Sequence, residues 1–171
     1  MNTLLRRPVL PIPRRQVFHS FHYANDAFRV QQIRNIGMID GNSPCSANEW
    51  ESIKQQGNNA IERWIDENMR YRSCVAVLVG TETAYRPWVD YEIRKAWNEK
   101  RGLFGIHIHN LNCPRQGRCA PGPNPFANIY LQNGQPLSNY VNCYDPGPDA
   151  YNVISRMMGT WVETAIRTKR S

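Results

Sequence analysis

The most informative absence in this sequence is that of a long apolar run. A helix that crosses a membrane needs about 20 consecutive apolar residues, and no segment of the 171 residues approaches that length. The first residues also lack the apolar stretch of a secretory signal peptide. With 41% apolar residues, the chain is nevertheless rich enough to bury a hydrophobic core. We therefore expect one soluble, cytoplasmic domain without a membrane partner.

Paired cysteines at regular spacing are also absent. The five cysteines are Cys45, Cys74, Cys113, Cys119 and Cys143. An odd number at irregular spacing, without a secretory signal, favours reduced thiols. Cys113 and Cys119 could join His107 and His109 at a zinc ion, but the spacing typical of zinc sites is missing. We expect no metal, and we interpret the two histidines as a polar strand face that leads into a loop.

Acidic residues are missing from positions 1–15, and this explains much of the formal net charge of +7. The basic residues that produce the excess are Arg6, Arg7, Arg14 and Arg15 near one end and Arg167, Lys169 and Arg170 near the other. Acids and bases balance between them, so the charge does not form the basic surface patch of a nucleic-acid-binding protein. We predict a flexible basic arm at 1–15, a basic tail at 167–171 and no nucleic-acid partner.

The segment at 73–98 organises the predicted fold. Its apolar run CVAVLV at 74–79 lacks polar alternation, which is typical of a central parallel strand covered on both faces. A short loop follows, and Pro87 then stands where a helix tolerates proline best. Glu92 comes one helical turn after Trp88, on the same face of this helix. Because ligands bind beyond the carboxyl ends of strands in open α/β sheets, we expect the loop at 81–86 and the first turn of this helix at the rim of a site.

A second strand-to-helix transition occurs near the start of the chain. The alternating run VFHSF at 17–21 predicts a strand, and Asn25 or Asp26 is a candidate N-cap for the helix that follows. Such a turn presents backbone N–H groups to phosphates. No glycine-rich fingerprint accompanies it, so the pattern alone does not establish a phosphate site.

The other predicted elements complete an alternating order. A strand is predicted at 103–111 and short strands at 37–41 and 140–144. A helix is predicted around 61–69, and a last helix is capped by Asp149. Residues 42–59 read as an irregular loop with at most one helical turn. Residues 112–139 form a long loop rich in proline and glycine, which more often serves as a binding loop or lid than as a linker. Strands that alternate with helices predict an α/β fold with flavodoxin-like order.

Two motifs carry a resemblance to a known family. VFHSFHYAND at 17–26 and YRPWVDYEI at 85–93 resemble TIR domains, specifically the TIR-like group of bacterial Thoeris antiphage defence proteins. The segments AIERWID, VAVLVG, GLFGIHIHNL and PGPNPF are similar to the same group. The resemblance covers residues 16–166 and implies a three-layer α/β fold with a central five-stranded parallel sheet.

The resemblance also implies an activity. TIR enzymes of this group cleave NAD between nicotinamide and ribose, and the product is a cyclic ADP-ribose isomer that activates a partner effector protein. NAD is then a substrate, and no cofactor is required. Because nicotinamide leaves as a neutral base, the reaction needs neither a general acid nor a metal, and one carboxylate can suffice.

Site residues follow from the same motifs. By resemblance Glu92 matches the catalytic glutamate, Trp88 its motif partner, and Phe21 and His22 the first-loop contacts of the dinucleotide. The remaining candidates for binding NAD are Tyr23, which can stack on a base, and Asn25 and Asp26, which we expect to be helix caps first and ligand contacts second. Phe21 and Tyr23 can equally be packing residues. The loop at 42–57 has no counterpart that we can align.

Two alternatives remain open. Without the resemblance, Glu92 reads as an exposed acid in the first part of a helix that pairs with Arg94 or Lys95. At the level of function, the alternative to an NAD-cleaving enzyme is a non-catalytic interaction module, because many TIR domains act by assembling with one another as homo-oligomers.

Overall fold

The computed structural model describes residues 14–37, 40–41 and 46–170. The strands are β1 (Gln16–Phe21), β2 (Asp40–Gly41), β3 (Cys74–Val79), β4 (Gly102–His107) and β5 (Cys143–Tyr144). The helices are α1 (Tyr23–Arg34), α2 (Ala47–Gln55), α3 (Asn58–Met69), α4 (Pro87–Asn98) and α5 (Ala150–Arg170). Short 3₁₀ turns occur at Thr83–Tyr85 and Leu137–Asn139.

The strands form a parallel sheet in the order β2-β1-β3-β4-β5. This is the strand order of flavodoxin-like folds, so the predicted α/β class is confirmed. The central strand β3 is buried along its whole length, as its unbroken apolar run predicts. The two edge strands are only two residues long. The predicted strand at 103–111 is wrong in its length, because β4 ends at His107.

Helices cover both faces of the sheet. Residues of β1 and β3 alternate between the two faces. Val17 and Cys74 lie on the face that packs against α1 and α5, whereas Phe18 and Val75 lie on the face that packs against α3 and α4. The predicted apolar stripe of the last helix is buried on the first face from Ile154 onward. These layers leave the loops at the carboxyl ends of the strands free to build a site.

The prediction of an irregular loop at 42–59 is wrong in part. Residues 47–55 form a regular helix, α2, and α3 begins at Asn58. Ser46 caps α2: its side chain accepts a hydrogen bond from the Glu49 amide, and the Glu49 carboxylate accepts one from the Ser46 amide. This reciprocal capping fixes the start of a helix that has few apolar residues of its own. The segment at 42–45, with Cys45, lies outside the described residues.

Both ends of the described chain contact the folded domain. Arg15, placed by the sequence in the basic arm, donates a hydrogen bond of 2.6 Å to Glu163. Residues 167–170, placed in the basic tail, extend α5, and the Lys169 ammonium lies 3.3 Å from the centroid of the Trp97 ring. Residues 1–13 lie outside the described part. No helix within that part is long and apolar enough to cross a membrane.

The long loop at 112–139 packs onto the sheet. It inserts Phe126, Ile129 and Leu137 into the core on the face of α3 and α4. Gly122 lies against the backbone at the end of β3, where an added Cβ would meet the Gly80 carbonyl oxygen at 2.0 Å. Only a glycine allows the two backbone segments to approach so closely, so the loop packs against the end of β3 through direct backbone contact.

We therefore predict that Gly122→Ala destabilises the fold. A methyl group at this position meets backbone that cannot move cheaply, so the free energy of unfolding should fall by about 3 kcal/mol. Gly134→Ala is the matched control, because its Cβ would meet nothing within 4 Å and only its φ of +76° opposes the change. That variant should lose about 1 kcal/mol. Equal urea midpoints for the two variants would contradict the close packing.

Candidate active site

A cavity of about 690 Å³ lies beside the carboxyl end of β1. Its walls come from the first turns of α1, from α2, from the beginning of α4 and from a tight turn near residue 115. The lining residues are Phe21, His22, Tyr23, Ala24, Asn25, Ala27, Phe28, Trp50, Glu51, Lys54, Arg86, Pro87, Trp88, Val89, Glu92, Cys113, Arg115 and Gln116. Its size and position are typical of a small-molecule site.

Glu92 is the buried carboxyl of this cavity. Only 7% of the residue is exposed, and the Ser20 hydroxyl, which comes from β1, donates a hydrogen bond to Glu92 Oε2. Burial raises the pKa of Glu92 to about 8, and the bond from Ser20 opposes that rise only in part. The carboxyl is therefore mostly protonated at neutral pH, and it is ready to ionise when a positive charge enters the cavity.

The core-facing stripe of α4 explains why Glu92 is buried. Val89, Ile93 and Ala96 recur at helical spacing and pack into the core, and Glu92 lies on the same face as Val89. The alternative of an exposed helix acid is therefore wrong. Its expected partners bind elsewhere: Arg94 pairs with Asp90, at 2.7 Å, and Lys95 pairs with Glu99 and Asp66.

A row of aromatic rings lines one side of the site. Phe21 and Tyr23 stack with ring centroids 5.4 Å apart, and Tyr23 stacks with Trp50 at 6.1 Å. Trp50 in turn meets the edge of Trp64 on α3, at 5.6 Å. Trp50 belongs to α2, which the sequence interpretation did not recognise, so this wall was missed. Stacked rings of this kind offer a flat apolar surface to a planar ligand.

Trp88 lies on the α4 side of the cavity. It is half-buried, lines the cavity and meets the ring of Tyr91 edge-on at 5.7 Å. It stands one turn before Glu92 and presents a surface to the cavity.

Glu82, in the loop that the sequence places at the rim of a site, gathers a polar cluster there. Its carboxylate accepts hydrogen bonds from Asn25, at 2.9 Å, and from Arg86, at 2.6 Å. His22 Nδ1 lies 3.7 Å from the same oxygen. Burial, with a smaller contribution from Arg86, lowers the pKa of His22, which keeps its ring neutral.

The prediction that Asn25 or Asp26 caps α1 is wrong. The N-cap is His22, and its side chain makes no capping bond to the N–H groups of the first turn of α1, whose residues 23–25 line the cavity. Asn25 lines the cavity. Asp26 does not: it is only 1% exposed and pairs with Arg29 at 3.0 Å. Burial raises the pKa of Asp26, and Arg29 opposes that rise.

No cluster of three or more potential metal ligands forms among residues 14–37, 40–41 and 46–170. The rings of His107 and His109 lie 5.9 Å apart. Cys113 lines the cavity and does not form a metal-binding cluster with the two histidines. The zinc arrangement considered from the sequence is thus not formed there.

Comparison with known proteins identifies the family. Residues 18–113, more than half of the chain, match the family model described as Thoeris protein ThsB, TIR-like domain. A Bacillus cereus (strain MSX-D12) protein named "Putative cyclic ADP-D-ribose synthase ThsB1" is 33% identical over 134 residues, which cover 74% of this chain and 70% of that protein. The chain belongs to the ThsB TIR-like family. The resemblance inferred from the two motifs is confirmed.

The matched region of this ThsB-like domain contains most of the cavity. It includes the aromatic row, the Glu82 cluster and Glu92, and it ends at residue 113. Arg115 and Gln116 therefore line the cavity from outside the matched region.

Burial of Glu92 predicts how the stability of the domain depends on pH. The folded state holds this proton up to a pH of about 8, whereas the unfolded chain releases it near 4.5. Below the lower value both states are protonated and stability is unaffected. As the pH rises through this window, the folded state loses stability, by several kcal/mol at most.

Glu92→Gln should remove this loss, because glutamine is neutral at every pH. Urea unfolding of both proteins at about pH 5 and about pH 8 measures the effect. The variant should gain stability relative to the parent at the higher pH, whereas the exposed control Glu67→Gln should not. A difference between Glu92→Gln and the parent that does not change with pH would refute the buried, protonated carboxyl.

Proposed function

We propose that this domain cleaves NAD at the bond between nicotinamide and ribose and releases a cyclic ADP-ribose-type signal. The observation that carries the proposal is Glu92, a carboxyl that lines a large cavity yet is 7% exposed, with a pKa raised to about 8. Carboxyl groups with strongly perturbed pKa values in clefts are candidates for catalysis. Family membership supports NAD as the substrate.

The chemistry of NAD suits a site with a single buried carboxyl. The bond between the anomeric carbon and the pyridinium nitrogen breaks, and its electron pair leaves with nicotinamide, which becomes neutral. No general acid is needed for such a leaving group. Positive charge then develops on the ribose, and the Glu92 carboxylate stabilises it, as carboxylates do in glycosyl transfer. An atom of the adenosine half forms the new bond to the anomeric carbon and a proton is released; attack by water would give linear ADP-ribose instead.

The substrate itself favours ionisation of Glu92. A cation near a carboxyl lowers its pKa, and the nicotinamide ring of NAD is cationic. Burial makes the carboxylate costly in the empty site, so the ionised form is stabilised mainly when the substrate is present. The bond from Ser20 holds the carboxyl in place and also favours the ionised form.

The remaining walls suit the other parts of a dinucleotide. Phe21 and Tyr23 provide flat surfaces for a base, and Trp88 closes the side next to Glu92. His22 and Asn25 offer polar contacts at the first turn of α1. Asp26 supports the site through its pair with Arg29 and does not contact the ligand.

Family membership supports a proposal for the product and its receiver. The Bacillus cereus relative is named for the synthesis of cyclic ADP-D-ribose. We extend that activity to this chain, with a partner effector protein that responds to the product and so serves antiphage defence. The cyclic product carries the signal to the effector, so the effector needs no stable complex with this domain.

Glu92→Gln tests the proposal. The change keeps the size of the side chain and removes its charge, so NAD cleavage should fall by about 100-fold or more. NAD binding should weaken far less, because the walls of the cavity are unchanged. Nicotinamide release and the cyclic product are measured by chromatography, under conditions in which the parent turns over. Glu67→Gln, on the exposed face of α3, controls for the loss of a surface charge.

Two outcomes would contradict different parts of the proposal. Parent-like cleavage by folded Glu92→Gln would remove this residue from the mechanism. A parent protein that stays inert with NAD under every triggering condition would favour the non-catalytic interaction module.

A further inference from the structure

A tight turn on the cavity rim is held in place by a buried arginine. Arg29 of α1 is 1% exposed, and it donates hydrogen bonds to the Leu111 carbonyl at 3.1 Å and to the Gly117 carbonyl at 2.9 Å. The turn closes on itself through the Gly117 amide, which donates to the Cys113 carbonyl at 2.7 Å. Residues 114–116 at its tip are therefore fixed against α1.

Arg115 stands at the tip of this turn and lines the cavity. Its guanidinium lies over the ring of Phe28, 4.9 Å from the ring centroid. Phe28 lies one turn after Ala24 on the same face of α1, and both residues line the cavity. The guanidinium thus lies on the face of α1 that lines the cavity, and the N-terminus of this helix adds positive potential to the same cavity.

The other basic residues of the cavity are neutralised. Lys54 pairs with Glu51 at 2.7 Å, and Arg86 pairs with Glu82 at 2.6 Å. For Arg115, by contrast, the described part of the chain shows no carboxylate within ion-pair distance. Its contact with an aromatic ring leaves the N–H groups at the edge of the guanidinium available to an anion.

We propose that Arg115 is the residue that recognises the pyrophosphate of the dinucleotide. This inference rests on the proposed function, since it concerns the same cavity and the same ligand. The pyrophosphate lies one ribose away from the bond that is cleaved, so an anion site on the rim complements a buried carboxyl deeper in the cavity. A planar guanidinium matches phosphate oxygens with two parallel hydrogen bonds. Arg115 thereby selects dinucleotides over nucleosides.

Binding of two inert probes tests this role without requiring turnover. ADP-ribose carries the pyrophosphate, whereas adenosine shares its base and ribose but has no phosphate. Titration followed by NMR measures both affinities in the parent, in Arg115→Gln and in Arg115→Lys. The control is Arg118→Gln, a change on the same loop at an exposed arginine that donates to the Pro148 carbonyl and does not line the cavity.

Arg115→Gln should weaken ADP-ribose binding by about tenfold or more and leave adenosine binding unchanged. Arg115→Lys should recover part of the loss, Arg118→Gln should match the parent, and added salt should weaken ADP-ribose binding less in Arg115→Gln than in the parent. Equal ADP-ribose affinity in the parent and Arg115→Gln would overturn the inference and leave NAD cleavage standing. A parent that binds neither ADP-ribose nor NAD would overturn the proposed function, and this inference with it.

Discussion

The site depends on the energetic cost of keeping one carboxyl away from water. Glu92 occupies a core-facing position of α4, and in the described part of the chain its recorded polar partner is the hydroxyl of Ser20. A buried carboxylate without a cation is expensive, so the group keeps its proton and its pKa rises to about 8. In the proposed function, the positive charge that favours ionisation comes from the cationic ring of the ligand. This requirement links the packing of α4 to the proposed substrate.

The rest of the cavity can be understood from that requirement. The aromatic row from Phe21 to Trp50 lines the cavity that Glu92 also lines and offers flat surfaces to a base. The cation on the rim is Arg115, which lies over the ring of Phe28 in a turn whose Gly117 carbonyl accepts a hydrogen bond from Arg29. In this account a cationic ring faces a buried acid while an anionic pyrophosphate faces an exposed arginine. Glu92 and Arg115 would thus bind different parts of the nicotinamide half of the dinucleotide, the ring and the phosphate.

The elements that depend on residues close together in the sequence could be predicted from it. The unbroken apolar run gave β3, and Pro87 with helical spacing gave α4. The burial of Glu92 could also have been predicted, because it lies three residues after Val89 on the core stripe. Helix α2 carried a readable signal as well, in the Ser46 to Glu49 capping box. The position of Arg115 had no such signal, since it depends on contacts between Arg29 and carbonyls more than 80 residues away.

The central claim is that the Glu92 carboxyl ionises when a cationic dinucleotide enters the cavity. The most direct measurement is proton release on binding an NAD analogue in which a methylene replaces the ring oxygen of the nicotinamide ribose, which keeps the pyridinium charge and resists cleavage. Calorimetry at about pH 7 in buffers of different ionisation enthalpy counts the protons. The account predicts that the parent releases nearly one proton and Glu92→Gln releases none. Binding by the parent without proton release, or with the same release as Glu92→Gln, would contradict it.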